Sequence, residues 1–240
     1  MQGDDQALAV LYDLERHPKP WRNRLYVDPS VYAQAGGWTF NKQGQRRTLN
    51  FGTCYPMVKG RKKMDSPVRI GRIRKDICPQ CGGKMMDMLT VDGRDERLRF
   101  LGVNGIITAV CCPNCVAFTE GSFSHFTLDG GSTPLPPKEF FGTAEDDMGE
   151  EGRKQIENNP YVLGESPVPP FYESESDFVN TIGGFASWVQ DWIYMKCPDC
   201  GKPMKYLGQI HWDSLVDGDG TLYIEFCPDC QNTAIHHQQT

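Results

Sequence analysis

No stretch of this chain approaches 18 consecutive apolar residues, and its first residues, Met1-Gln-Gly-Asp-Asp, have neither the basic start nor the apolar run of an export signal. Neither membrane insertion nor export is expected, so the sequence reads as a cytoplasmic globular protein. Apolar residues are scarce at 39%, yet 240 residues are enough for one large domain or two of ordinary size. Around Asp213, Asp217 and Asp219 the ligand ladder and closing Glu of an EF-hand are missing, which leaves a hairpin turn. His211-Trp-Asp213 has no Glu after the His, and the cysteines downstream lack the Pro-Cys-x-x-Cys order, which disfavours a zinc deaminase.

Cysteine, by contrast, is plentiful. Ten are present, and eight form four Cys-x-x-Cys hooks in two matched pairs: Cys78/Cys81 with Cys112/Cys115, and Cys197/Cys200 with Cys227/Cys230. The loops between paired hooks hold 30 and 26 residues. This is zinc-ribbon spacing, because each rigid hook pre-positions two of the four thiolates that a tetrahedral zinc takes. Gly82 and Gly201 follow the second cysteine of their hooks, where a left-handed residue turns amides toward sulfur. A lone Cys-Pro-x-Cys also suits a redox pair or a disulfide. Four hooks without an export signal favour two Zn2+ per chain, with local pairing expected and a shared metal between hooks one and four left open. Cys54 and Cys111 are read as buried free thiols.

The net charge of −6 hides an asymmetry: residues 1–76 hold 15 Lys and Arg against 7 Asp and Glu, while residues 77–240 hold 10 against 24. An acidic ribbon-bearing region suits a basic protein partner better than a phosphate backbone. Residues 5–16 have near-helical apolar spacing, with Asp4 or Asp5 as cap and Pro18 and Pro20 as stops. From Trp21 to Lys63 the chain is irregular and aromatic, and Arg61-Lys62-Lys63 reads as a solvated basic loop. Met86–Val91, Arg97–Val103 and Ile106–Cys111 read as strands, Val116–Leu128 as a further strand or bulged pair with Phe118, Phe123 and Phe126 facing the core. His125 is read as a structural residue.

Residues 129–178 carry seven prolines with 12 acidic and 3 basic residues and read as a linker. Within it Thr143-Ala-Glu-Asp146 has the form of a capping box for a short helix over about 144–157. After the linker the arrangement repeats: hook, strand, Gly-rich turn, strand, hook. His236 and His237 are read as a solvated tail, and Trp188, Trp192 and Trp212 as core or as an aromatic recognition surface. The division expected is an N-terminal helix and irregular extension over 1–65, a first β/zinc-ribbon unit over 66–128, the linker over 129–178 and a second unit over 179–240. The fold class is mainly β, pseudo-duplicated, with a short N-terminal helix.

Ile182-Gly-Gly184, Trp188-Val-Gln190, Tyr206-Leu-Gly-Gln-Ile210 and Gly218-Asp-Gly-Thr-Leu-Tyr223 together resemble the YwqG-like family of bacterial proteins, and more distantly the programmed cell death protein 2 family, over about residues 66–240. Ile70-Gly71-Arg72 stands where the first unit's double glycine falls, and Ala186 where the family has Pro. The resemblance implies a duplicated β architecture and a protein-binding role: immunity against a toxin, or chaperoning of a basic protein. It carries over no catalytic residue. The function expected is therefore non-enzymatic recognition of a protein. A nucleic-acid-binding ribbon is second and a metal or redox enzyme third. A basic stripe of Arg61, Lys62, Lys63, Arg72, Arg74 and Lys75 would favour nucleic acid.

Overall fold

The computed structural model describes residues 5–17, 19–24, 33–41, 43, 45–60, 66–137, 139–142, 145–171 and 179–239. Asp4, Pro18, Arg61-Lys62-Lys63 and Thr143 lie outside the described residues. Helix α1 spans Asp5–Arg16, as the spacing predicts, and a 3-10 turn follows at Pro20–Arg24. The rest is mainly β. A small hairpin joins β1 (Trp38–Phe40) to β2 (Arg46–Thr48). Strands β4 (Val68–Ile77), β5 (Lys84–Asp92) and β6 (Ile106–Cys111) form a three-stranded antiparallel sheet.

The larger sheet has eight strands, all antiparallel. Its centre is β10 (Asn180–Gly183), β11 (Lys205–His211), β12 (Thr221–Cys227) and β13 (Asn232–Gln238) in sequence order. Beyond β13 come β7 (Ser122–Phe126) and β8 (Ser132–Pro134), and beyond β10 come β3 (Cys54–Lys59) and β9 (Tyr161–Leu163). One apolar core lies between the sheets, with Ile70, Met86, Leu89 and Ile107 from the small sheet against Leu207, Ile210, Ile224 and Phe226 from the large one. Burial of that apolar surface is the main driving force for the two-layer arrangement.

The repeat in the sequence is a repeat in the backbone. Each first hook runs into a strand that bulges at the same distance past its hook: at Met88 after Cys78, between Asp87 and Leu89, and at Leu207 after Cys197, between Tyr206 and Gly208. Gly71 and Gly183 both have positive φ, 70° and 74°, on the strands that precede the hooks, β4 and β10. A side chain at Gly71 would collide with Ile156 of helix α2 (Gly149–Glu157).

Four readings need correction. Arg97–Val103 is not a strand: Glu96–Leu101 is a 3-10 turn, capped by the Asp95 carboxylate accepting from the Arg97 N–H and closed by Gly102 at φ 71°. Leu98 and Leu101, three apart, are its buried residues, so the alternation of Arg97, Leu98 and Arg99 misleads. Val116–Phe118 is also a 3-10 turn, and it leaves Phe118 exposed while Phe123 and Phe126 are buried. Helix α2 starts at Gly149 without a side-chain cap, later than the box at Thr143 suggests. His236 and His237 are no tail: they lie in β13, between β12 and β7.

Candidate metal centres

The backbone before each cluster sets its geometry. At the first hook the Gly82 N–H donates to the Cys78 carbonyl and the Cys78 N–H to the Gly83 carbonyl; at the third, Gly201 donates to Cys197 and Cys197 to Lys202. Gly82 and Gly201 have φ of 73° and 68°, and a Cβ at either would meet open space. Only the backbone conformation demands glycine there. The fourth hook reaches the same left-handed turn with Gln231 at φ 55°, whereas the second leads into the Val116–Phe118 turn.

The hooks pair locally. The sulfurs of Cys78, Cys81, Cys112 and Cys115 lie within 4.8 Å of one another, as do those of Cys197, Cys200, Cys227 and Cys230, and each group can hold a metal ion. Individual separations are 3.8 Å for Cys78–Cys115, 3.6 Å for Cys81–Cys112 and 3.9 Å for Cys200–Cys227. Four sulfurs around one ion at about 2.3 Å form a tetrahedron with edges of about 3.8 Å, so the clusters have the dimensions of a closed thiolate site. Most of the eight are buried, and Cys200 is the most accessible. Cys54 and Cys111 stand apart from both groups as buried free thiols, and burial pushes the Cys54 thiol up to about 11.

One cysteine in each cluster is held toward the thiolate. A hydrogen bond with Cys112, aided by the backbone N–H groups of Cys81 and Gln80, brings Cys78 down to about 5 against its burial. Burial pushes Cys197 up, but the Asn232 amide and the N–H groups of Cys200 and Asp199 outweigh it and leave the thiol at about 7. Asn232 donates to Cys197 Sγ at 3.4 Å and to Asp199 at 2.8 Å. The exposed His125 faces Asn232 across the β7–β13 pair at 3.3 Å and belongs to neither sulfur group.

What sequence reasoning misses is the strap over the first cluster. Arg153 on α2 is only 2% exposed. Its guanidinium forks onto Asp146 with two bonds of 2.8 Å and donates to the Lys84 and Gly149 carbonyls at 2.7 Å. Burial works against its charge, while Asp146 and Cys112 raise its pKa. Asn114, inside the second hook, donates to the Glu145 carbonyl at 2.7 Å and accepts from the Met148 N–H at 3.1 Å. Part of the acidic linker is thereby fastened to the hooks. An arginine in an acidic helix reads as surface in sequence, and only the short Gly83, whose added Cβ would strike Arg153, hints at the close approach.

Four thiolates around a divalent ion leave a net charge of −2, which the Arg153 cation, itself paired with Asp146, offsets only in part. Arg153→Gln is expected to weaken metal retention at the first cluster by about 10–100-fold, the usual cost of losing an outer partner, and to leave the second unchanged. Release to a chromophoric chelator reads this as one accelerated phase of two; two unchanged phases would remove Arg153 from the metal's surroundings.

The chain is similar to the uncharacterised protein YpfL of Salmonella typhimurium, with 27% identity over 248 residues that take in 99% of this chain and 56% of that protein. It thus spans about half the length of the curated relative it matches. No family model matches the chain, and the YwqG-like resemblance stays at the level of the motifs that carry it. No solved structure matches.

Proposed function

We propose that the chain is a non-enzymatic protein, stabilised by a zinc ion in each cysteine cluster, that recognises a basic protein: a toxin that it neutralises or a protein that it chaperones. Zinc is the ion of choice for four thiolates, and a closed tetrad offers no coordination position to a substrate. The observation that carries the recognition reading is an exposed pair of aromatics beside the first cluster. Phe118 and Phe141 are 45% and 66% exposed, and the Phe141 N–H donates to the Phe118 carbonyl at 2.8 Å. The turn bearing Phe118 grows straight out of the second hook, where the Val116 N–H donates to Cys112 and the Phe118 N–H to Cys115. The metal hook therefore fixes the position of these aromatics.

Exposed Glu120 and Glu139 flank the pair. Aromatic anchors within an acidic rim suit a basic protein surface, the aromatics supplying affinity and the rim steering association. Asp146 is committed to Arg153, and Glu150 to Lys154, so the 145–151 stretch contributes less free charge than its composition suggests. Trp188, Trp192 and Trp212 are all partly buried. Against nucleic acid, Arg72 and Arg74 both pair with the buried Asp87, and Arg74 with Asp76 as well, while Arg61-Lys62-Lys63 lies outside the described residues.

The test is affinity for a partner captured from the native host. Phe118→Ala with Phe141→Ala is expected to weaken binding by about 2 kcal/mol or more, and Glu120→Gln with Glu139→Gln to slow association chiefly at low salt. Unchanged affinity in the aromatic variant overturns the surface, and tight binding of RNA or DNA by the wild type overturns the reading.

A further inference from the structure

A concavity lies where the β1–β2 hairpin meets the 185–194 loop. Its volume is about 170 Å³, and its walls include Arg46, Asn50, Phe171, Phe185, Trp188 and Tyr194, with small residues between them. Phe171 and Phe185 stack at 4.0 Å between centroids, and Trp188 meets Tyr194 edge-on at 5.5 Å. At the floor the Tyr194 hydroxyl donates to Asn50 Oδ1 at 3.0 Å, and both residues are buried. Among the described residues no acidic side chain lines the pocket. Arg46, exposed on β2, has no ion pair among the described residues; its guanidinium sits 6.0 Å from the Trp38 ring centre.

The walls are built before any ligand arrives. Gly183 and Gly184, both at positive φ, bring the chain close to Thr53 and Cys54 and turn it so that Phe185 and Trp188 follow. The loop is then pinned by side chains of the sheet: Gln209 accepts from the Ser187 N–H at 3.0 Å, Tyr223 from the Val189 N–H at 2.9 Å, and Gln238 from the Gln190 N–H at 3.1 Å. Trp188 is further fixed by lying flat against His236, 5.9 Å between centroids at 12°. Many residues of the resemblance motifs, Gly183, Gly184, Trp188, Gln190, Gln209 and Tyr223, thus serve one loop.

We propose that this pocket binds a single-ring aromatic carboxylate, the ring entering between the aromatic walls and the carboxylate meeting Arg46. Size selects one ring, since a cavity of about 150 Å³ takes benzene, and 170 Å³ leaves room for one small substituent. Charge selects the anion: the one charged side chain among the described lining residues is Arg46, and a guanidinium receives a carboxylate through two parallel bonds. The chemistry is shared by a free aromatic acid and by a peptide ending in phenylalanine.

Titration of the full chain with phenylacetate, with a short peptide ending in Phe, with the same peptide amidated and with benzylamine, read by tryptophan fluorescence and calorimetry, tests the site. Binding of the free acid, or of the carboxylate peptide alone, supports the proposal and names the source. Arg46→Gln is expected to lower that affinity by about tenfold or more, the loss of a charge-assisted pair. Phe171→Ala, removing an aromatic that is 67% exposed at the rim, is expected to weaken binding without loss of fold. Failure of both carboxylates to bind, equal binding of benzylamine, or an unchanged affinity in Arg46→Gln overturns it.

Discussion

Replacing Cys200 by serine is expected to lower the metal content from two ions per chain to one and to abolish the cooperative melt. A structural zinc contributes on the order of 10 kcal/mol to folding. Net stability of a domain is about 5–15 kcal/mol, so forfeiting much of that contribution leaves little. Damage will not stay near the second cluster, because the strands leading into and out of it, β11, β12 and β13, present Leu207, Ile224, Phe226 and Ile235 to the core that the small sheet shares. Cys54→Ser and Cys111→Ser, which alter thiols outside both groups, serve as controls that keep two metals. Elemental analysis and calorimetry decide: a Cys200→Ser protein with two metals and an unaltered transition would refute the ligand assignment, and native protein with one metal or none would refute the pair of sites.

The second large effect is acid sensitivity from His236. Burial, with neither ring nitrogen hydrogen-bonded among the described residues, depresses its pKa from 6.5 to about 3, with His237 adding to the shift. Tyr223 and Glu225 on the adjoining strand share its face, and among the described residues no carboxylate hydrogen-bonds to the ring. In the unfolded chain the imidazole takes a proton below about 6.5; in the folded chain it stays neutral down to about 3. At this site the unfolded state thus binds more protons through that window, and the stability that His236 contributes, complete above pH 6.5, falls as pH falls by about 1.4 kcal/mol per unit; Glu225, whose pKa burial raises, works in the opposite direction. Over the whole window the loss is on the order of 4 kcal/mol. Thiolate protonation adds its own acid loss, so the measurement is the difference in slope between wild type and His236→Phe from pH 7 to 5. Parallel curves would show that His236 does not titrate on unfolding.

These two residues also mark how far the sequence could be read. Cysteine hooks are legible because the information is local: the spacing, the glycine that follows and the strand that leaves belong to one short stretch. The hairpin strands β5, β6, β11 and β12 are legible for the same reason. His236 is not, because β13 reads Asn232-Thr-Ala-Ile-His-His-Gln and is almost wholly buried along its length. Period-two alternation needs one wet face, and a strand covered on both faces and paired on both sides has none. Arg153 escapes for another reason: its partners Asp146, Lys84 and the cysteine cluster come together only through the tertiary fold.

The two outermost strands of the large sheet, β8 and β9, are three residues each, and both come from the proline-rich stretch that composition marks as a spacer. Pro134 ends one and Pro160 precedes the other, so each margin offers a second molecule few main-chain donors to add on to. The stretch is in this respect a guard against polymerisation. A protease that clips it would cut few of the sheet's bonds but would free its margins, and the nicked molecule rather than the intact one is where strand-to-strand association would begin.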